Sequence, residues 1–180
     1  MTTTTDTTAA PTGTRRVRAA AAGALLAMLL GMGSGAGAAI AHAQQIPAVS
    51  VAADRAVGQT TDHNTAPYGQ CTWGAYEKFH QATGLWPLIM GNAADMDDNA
   101  RARGWTVVLD AQPRAMVVFE PGIHGADPTY GHVAWVDEVI SQAGTTPLIR
   151  ITETNAGGAW GEFTTRTVQD VVGMSYILAP

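Results

Sequence analysis

Cys71 is the only cysteine in 180 residues, which excludes an intramolecular disulfide framework and any zinc site built on paired cysteines. It is therefore either a buried small hydrophobe or a reactive thiol. It follows Tyr68-Gly69-Gln70 and opens a stretch with helical spacing. At a helix start, unpaired backbone N–H groups and the helix dipole favour an anion, and so favour the thiolate that acts as a nucleophile. An imidazole paired with the sulfur would activate it further.

Five histidines compete for that part. His42 belongs to a leader, His63 to a segment ahead of the domain, His80 to a helix end and His124 to a Gly/Pro/Asp-rich loop from Pro121 to Tyr130. His132 instead begins the alternating strand Val133-Ala134-Trp135-Val136-Asp137. A strand holds a ring in place better than a loop does, and Gly131 just before it admits close approach of a backbone or a substrate. The competing reading of His132 is a histidine hydrogen-bonded for structure alone. A third polar group should orient the imidazole through its other nitrogen. Glu153 and Asn155 close the run Ile151-Thr152-Glu153-Thr154-Asn155, and a period of two turns both to one side. An ordinary exposed strand end is the alternative there.

The elements that must hold these residues are legible as changes of period. From Cys71, Trp73, Tyr76, Phe79 and His80 fall on one side of a helix that Gly84 stops. Asn92 followed by Asp95 resembles an N-cap with an acidic first turn; Ala93, Met96 and Ala100 would form the inner face of this second helix, and Gly104 would close it. Beyond Gly104 the period becomes two. Trp105–Leu109, Met116–Phe119, His132–Ile140, Leu148–Thr154, Phe163–Val168 and Met174–Leu178 are short β-branched or aromatic runs separated by Gly, Pro or Asp. Helices followed by successive strands predict an α+β domain with its helices packed on an antiparallel sheet.

Residues 1–43 read as a signal peptide. Arg15, Arg16 and Arg18 precede an apolar run from Ala19 to Met32, which fades into Ala41-His42-Ala43, a small-x-small cleavage tripeptide. Ala19 to Ala41 carries no charge, so an uncleaved membrane anchor is the rival reading; the many Ala and Gly residues favour cleavage, with no stable anchor. The Arg15-Arg16 pair leaves the export route open between the general and the twin-arginine pathway. Residues 44–63 read as a short tether and 64–180 as the domain. Loss of Arg15, Arg16, Arg18 and Asp6 takes the 10 basic and 15 acidic residues to 7 and 14, a net charge of −7. An acidic chain without a basic stripe lacks the footprint nucleic-acid binding needs. Export is the expected fate, and an acidic protein outside the cell would not be held on an anionic surface by charge, so binding there would rely on a shaped cleft or on a partner.

Taken together, Tyr68-Gly69-Gln70-Cys71-Thr72-Trp73-Gly74, Gly91-Asn92-Ala93, Tyr130-Gly131-His132-Val133-Ala134-Trp135-Val136 and Glu153-Thr154-Asn155 resemble, in order, the motifs of the CHAP family of cysteine- and histidine-dependent amidohydrolases and peptidases. The resemblance runs from about Asn64 to the C-terminus. It implies a papain-like α+β fold and hydrolysis of an amide bond in the peptidoglycan stem peptide, by an amidase or an endopeptidase. It also implies Cys71 as nucleophile, His132 as general base and Glu153 as orienting carboxylate, with Asn155 as an auxiliary contact. Gln70 is placed to help form an oxyanion hole with the Cys71 N–H, or equally to make a structural hydrogen bond. Trp160, flanked by glycines in Gly157-Gly158-Ala159-Trp160-Gly161, is the candidate substrate contact. Some members carry an Asp-rich calcium loop just before the cysteine; in the ten residues before it here only Asp62 is an aspartate, so no metal and no cofactor is expected. The rival readings are a non-catalytic wall-binding or surface-antigen module on the same fold, and another papain-like exported cysteine hydrolase such as the NlpC/P60 type.

Overall fold

The computed structural model describes residues 54–141 and 144–180. The expected leader and residues 44–53 of the expected tether lie outside the described residues. The remainder of that tether, residues 54–63, lies on the domain instead. The Arg55 guanidinium donates to the carbonyls of Pro113, Arg114 and Ala179, at 2.7–3.0 Å. Strand β1 (Thr60–Thr61) pairs antiparallel with β2 (Trp86–Pro87). Local sequence hides this because the partners are backbone carbonyls and a two-residue strand far along the chain.

Helix α1 spans Cys71–Thr83. It starts after Gly69, whose positive φ of 82° turns the chain, and Gln70 is its N-cap without a side-chain capping bond. The N–H groups of the first turn therefore have no intrahelical acceptor. Gly84 ends it in the left-handed conformation, its N–H bonded to the His80 carbonyl at 2.7 Å. The inner face is Gly74, Ala75, Tyr76 and Phe79. Phe79 is fully buried and meets Trp105 and Trp135 edge-on, with centroids 5.3 and 6.2 Å apart. Burying such a ring stabilises by about 1.5–3 kcal/mol. A single 3₁₀ turn (Ala93–Asp95) leads into α2 (Met96–Ala102), and Ala93, Met96 and Ala100 are buried as the spacing predicts.

Strands β3 (Val107–Val108), β4 (Ala115–Phe119), β5 (His132–Ile140), β6 (Leu148–Glu153), β7 (Thr164–Gln169) and β8 (Met174–Leu178) form one antiparallel sheet. Its order is β3-β8-β4-β5-β6-β7, so the last strand inserts between the first two. This is the expected α+β class. The first expected strand is shorter than its apolar run, because Trp105 leaves the sheet to pack among the core residues under the helices. One face presents Met116, Val118, Val133, Trp135 and Ile177 to the helices. The other carries Val117, Phe119, Ala134, Val136, Ile151 and Tyr176, with Ala126 from the 121–131 loop. Burial on both faces explains why β4 reads as an unbroken apolar run rather than an alternation.

Two close approaches set the position of the helices on the sheet. A Cβ at Gly74 would collide with Thr154 Oγ1, so the first turn of α1 rests directly on the end of β6. Gly131, at φ 67°, leaves room for the Phe119 carbonyl and for Ala94, whose N–H donates to the Tyr130 carbonyl at 2.9 Å. Gly74→Ala should therefore cost about 1–3 kcal/mol of stability through overpacking, read as a lower urea midpoint; an unchanged midpoint would show that the contact can relax.

Candidate active site

His132 and Glu153 lie on neighbouring strands and the same sheet face. Trp135 pairs with Thr152 and Val136 with Ile151, and that register continued sets Ala134 opposite Glu153 and His132 on its diagonal. Diagonal neighbours stand about 7–8 Å apart, within reach of long side chains. His132 Nε2 meets Glu153 Oε2 at 2.9 Å, and both residues are buried, with 8% and 2% of their surface exposed. Cys71, at the start of α1, lines the same cleft beside this ring and acts on its charge. With Nε2 taken by Glu153, Nδ1 is the nitrogen left for the sulfur. Phe119, opposite His132 in the β4–β5 pair, lies against the ring with centroids 5.8 Å apart and limits its tilt.

Gln70 and Asn155 join this arrangement through each other. Asn155 Nδ2 donates to Gln70 Oε1 at 2.9 Å, and Thr154 Oγ1 donates to the Gln70 carbonyl at 2.8 Å. Asn155 adopts a left-handed φ of 57°, a conformation Asn tolerates better than most residues. That turn, which ends β6 at Glu153, breaks the strict alternation expected to set Asn155 beside Glu153, so its amide meets Gln70 rather than His132. With Oε1 engaged, the Gln70 NH2 is the end left for the cleft beside the Cys71 N–H.

These residues border a cleft of about 950 Å³, whose far wall is the 121–131 loop with His124, Asp127 and Tyr130. The loop is tightly built. Asp127 Oδ1 accepts from the N–H groups of Thr129 and Tyr130, both at 2.8 Å, and these bonds hold its carboxyl below the usual range. Trp160 is 54% exposed and lies over Gly69, where a Cβ would strike its indole. It stands beside the cleft and is not among the residues lining it. Among the described residues, no group of three or more His, Cys, Asp or Glu side chains could hold a metal ion, and no helix is long and apolar enough to cross a membrane.

One residue of the site escaped the sequence reading. Arg166 on β7 donates from Nε to Glu153 Oε1 at 2.6 Å and from Nη2 to Glu153 Oε2 at 3.2 Å, while Nη1 donates to the His124 carbonyl at 2.9 Å. A signal was available. Arg166 shares a strand face with buried Val168 in Thr164-Thr165-Arg166-Thr167-Val168, and an arginine on an inward face needs a counter-charge.

The electrostatics follow from these contacts. Burial alone would lower the His132 pKa, but bonding and charge from Cys71 and Glu153 outweigh it and raise it to about 9. Burial would raise that of Glu153, yet His132 and Arg166 hold it below the ordinary carboxylate range. A raised histidine pKa adds stability that is complete below the unfolded value, near 6.5, and is lost as pH climbs through about 9. The lowered Glu153 pKa adds stability present above its unfolded value and lost in acid. The urea midpoint should fall between pH 6.5 and 9, and this fall should shrink in Glu153→Gln. The His132 ring resonances should titrate well above 6.5 in the wild type and nearer to it in Glu153→Gln.

The family model described as CHAP domain matches residues 61–155. An N-acetylmuramoyl-L-alanine amidase domain-containing protein of Staphylococcus aureus (strain NCTC 8325 / PS 47) is 35% identical over 121 residues, which are 66% of this chain and 19% of that protein. The 2.15 Å crystal structure of N-acetylmuramoyl-L-alanine amidase from Staphylococcus aureus superposes with a TM-score of 0.58 at 34% identity, over 67% of this chain and 33% of that one. The chain thus spans a third or less of the length of these relatives. With the matched segment running from β1 past Cys71 and His132 to the Glu153-Thr154-Asn155 turn, the chain belongs to the CHAP domain family.

Proposed function

We propose that this chain is an exported cysteine-dependent peptidoglycan hydrolase that cleaves an amide bond of the wall peptide, with the bond between N-acetylmuramic acid and L-alanine the first candidate. The observation that carries the reading is the chain of contacts from Cys71 through His132 to Glu153, opening on a cleft at a helix start. Both relatives are named as N-acetylmuramoyl-L-alanine amidases or as containing such a domain, which supports the choice of bond over an endopeptidase site.

In the proposed mechanism the Cys71 thiolate, paired with the His132 imidazolium, adds to the amide carbonyl carbon and forms a tetrahedral oxyanion. The Cys71 N–H and the Gln70 NH2 face that oxygen; one such donor is typically worth about 2.7–4 kcal/mol. His132 passes its Nδ1 proton to the departing amine as the C–N bond breaks, leaving an acyl thioester on Cys71. The freed Nδ1 then takes a proton from a water whose oxygen adds to the thioester carbonyl; the C–S bond breaks, the acyl group leaves as a carboxylic acid, and the Cys71 thiolate and His132 imidazolium are restored. General acid–base help of this kind contributes about 10²–10⁴-fold. Glu153 holds the ring in the tautomer that turns Nδ1 to the sulfur. Asn155 keeps the Gln70 amide turned outward, and Trp160 is placed to touch parts of the wall that extend past the cleft. Export by the leader places the enzyme at the wall, where a targeting or activating protein would supply the affinity an acidic module lacks.

Incubation of purified peptidoglycan with the chain should release new amino groups and fragments whose masses name the bond. Cys71→Ala should reduce that release to background while preserving the fold by circular dichroism; persistent release would remove Cys71 from the mechanism. Gln70→Ala should lower kcat by about 10²–10³ with a smaller change in KM, and an equal loss in KM alone would make Gln70 a binding group.

A further inference from the structure

Among the described residues, Arg166 is the cation that joins His132 in contact with the Glu153 carboxylate. Its fork covers both oxygens of Glu153, so Oε2 is shared between His132 Nε2 at 2.9 Å and Arg166 Nη2 at 3.2 Å, while Oε1 belongs to Arg166 Nε at 2.6 Å. The carboxylate is 2% exposed whereas the Arg166 side chain is 36% exposed, so the buried partner relies on the accessible one for its second counter-charge. The third guanidinium nitrogen donates to the His124 carbonyl at 2.9 Å, and the His124 ring meets the Gln169 carbonyl at 2.7 Å. His124 holds a left-handed φ of 50° between these two ties. Arg166 therefore touches both the third residue of the site and the loop that walls the cleft.

We infer that Arg166 is a positioning residue, the fourth member of a relay Cys71–His132–Glu153–Arg166, which keeps Glu153 anionic and aimed at His132 Nε2. Among the described residues, the titratable and charged groups about Glu153 are few. β5 presents His132, β7 presents Arg166, and α1 brings Cys71 to the cleft that His132 also lines. The loop contributes only the His124 carbonyl, through Arg166, and its Asp127 carboxylate is occupied by backbone N–H groups. Without Arg166 an ionised carboxylate would be buried against a single imidazole and would take up a proton at a higher pH. Neutral Glu153 no longer supports the imidazolium, and the thiolate then loses its partner. Arg166 also draws charge from Oε2, which moderates the hold of Glu153 on His132 and leaves the ring able to release its proton.

The inference rests on the proposed thiolate–imidazolium pair, and its test needs no wall substrate. Alkylation of Cys71 by iodoacetamide, followed in the full chain from pH 4 to 10, reads the thiolate directly. In Arg166→Gln the low-pH limb of the alkylation profile should move up by about one unit, a tenfold slower reaction at pH 5, with the alkaline plateau retained. Arg166→Lys keeps the charge and should restore the limb. In a Glu153→Gln background, Arg166→Gln should leave the limb where it is, because the residue acts through Glu153. A limb unmoved by Arg166→Gln, or a shift that persists without the Glu153 carboxylate, overturns the inference. If Arg166→Gln does not fold, the Glu153 carboxyl ¹³C titration of the wild type decides: a midpoint below 4.5 agrees, and one at or above it overturns. Wall hydrolysis is scored separately by amine release, so a chain that cuts no wall yet shows the limb shift would sink the hydrolase reading and leave the relay standing.

Discussion

Thr154 Oγ1 donates to the Gln70 carbonyl and Asn155 Nδ2 to the Gln70 side chain, and these two hydrogen bonds pin the residue before Cys71 to the end of the strand that carries Glu153. Gly74 lets this happen, since any Cβ there would occupy the place of Thr154 Oγ1. The helix start, the strand end and the turn after it thus form one rigid corner. His132 reaches the corner from β5, whose register with β4 and β6 is set by side chains buried on both sheet faces. A one-residue slip of β5 would turn His132 to the opposite face and dissolve the constellation. The apolar core and the chemistry are therefore consequences of the same register.

Charge is the second constraint, and it depends on the first. A carboxylate almost fully withdrawn from water is costly unless donors and counter-charges surround it. Glu153 receives one contact from His132 and two from Arg166, so a full set of charged partners meets it from the two flanking strands. The result is a row of ionisable groups across four elements, β7, β6, β5 and α1, with the sulfur at the open end. The helix contributes its unpaired N–H groups at that same end, where negative charge would develop during attack on a carbonyl.

The wall of the cleft opposite the helix is held by comparable means. Asp127 ties the backbone of Thr129 and Tyr130, and His124 is fastened to β7 by its ring and by its carbonyl. A segment rich in Gly, Pro and Asp thus becomes a defined rim. The chain spans a third or less of its relatives' length, and the segment matched by the family model, residues 61–155, contains this corner and this rim.

Much of this was legible from residue types and spacing. The helix from Cys71 to Gly84, the buried positions Ala93, Met96 and Ala100, and most strand limits follow from periodicity, because core-facing positions repeat at 3.6 or 2.0 residues whatever the fold. Four ordered motifs marked Gln70, Cys71, His132, Glu153 and Asn155 as a set. The sequence by itself determined which residues are inward-facing and which carry reactive groups, since these are local properties of side chains and of short runs. Only the tertiary structure decided who meets whom. Asn155 meets Gln70 rather than His132 because a left-handed residue interrupts the strand, Arg55 binds carbonyls more than fifty residues away, and Arg166 completes the site from a strand that no local pattern links to Glu153. Hydrogen bonds and charge pairs between distant segments depend on sheet register and close approach, which packing sets and spacing along the chain does not encode.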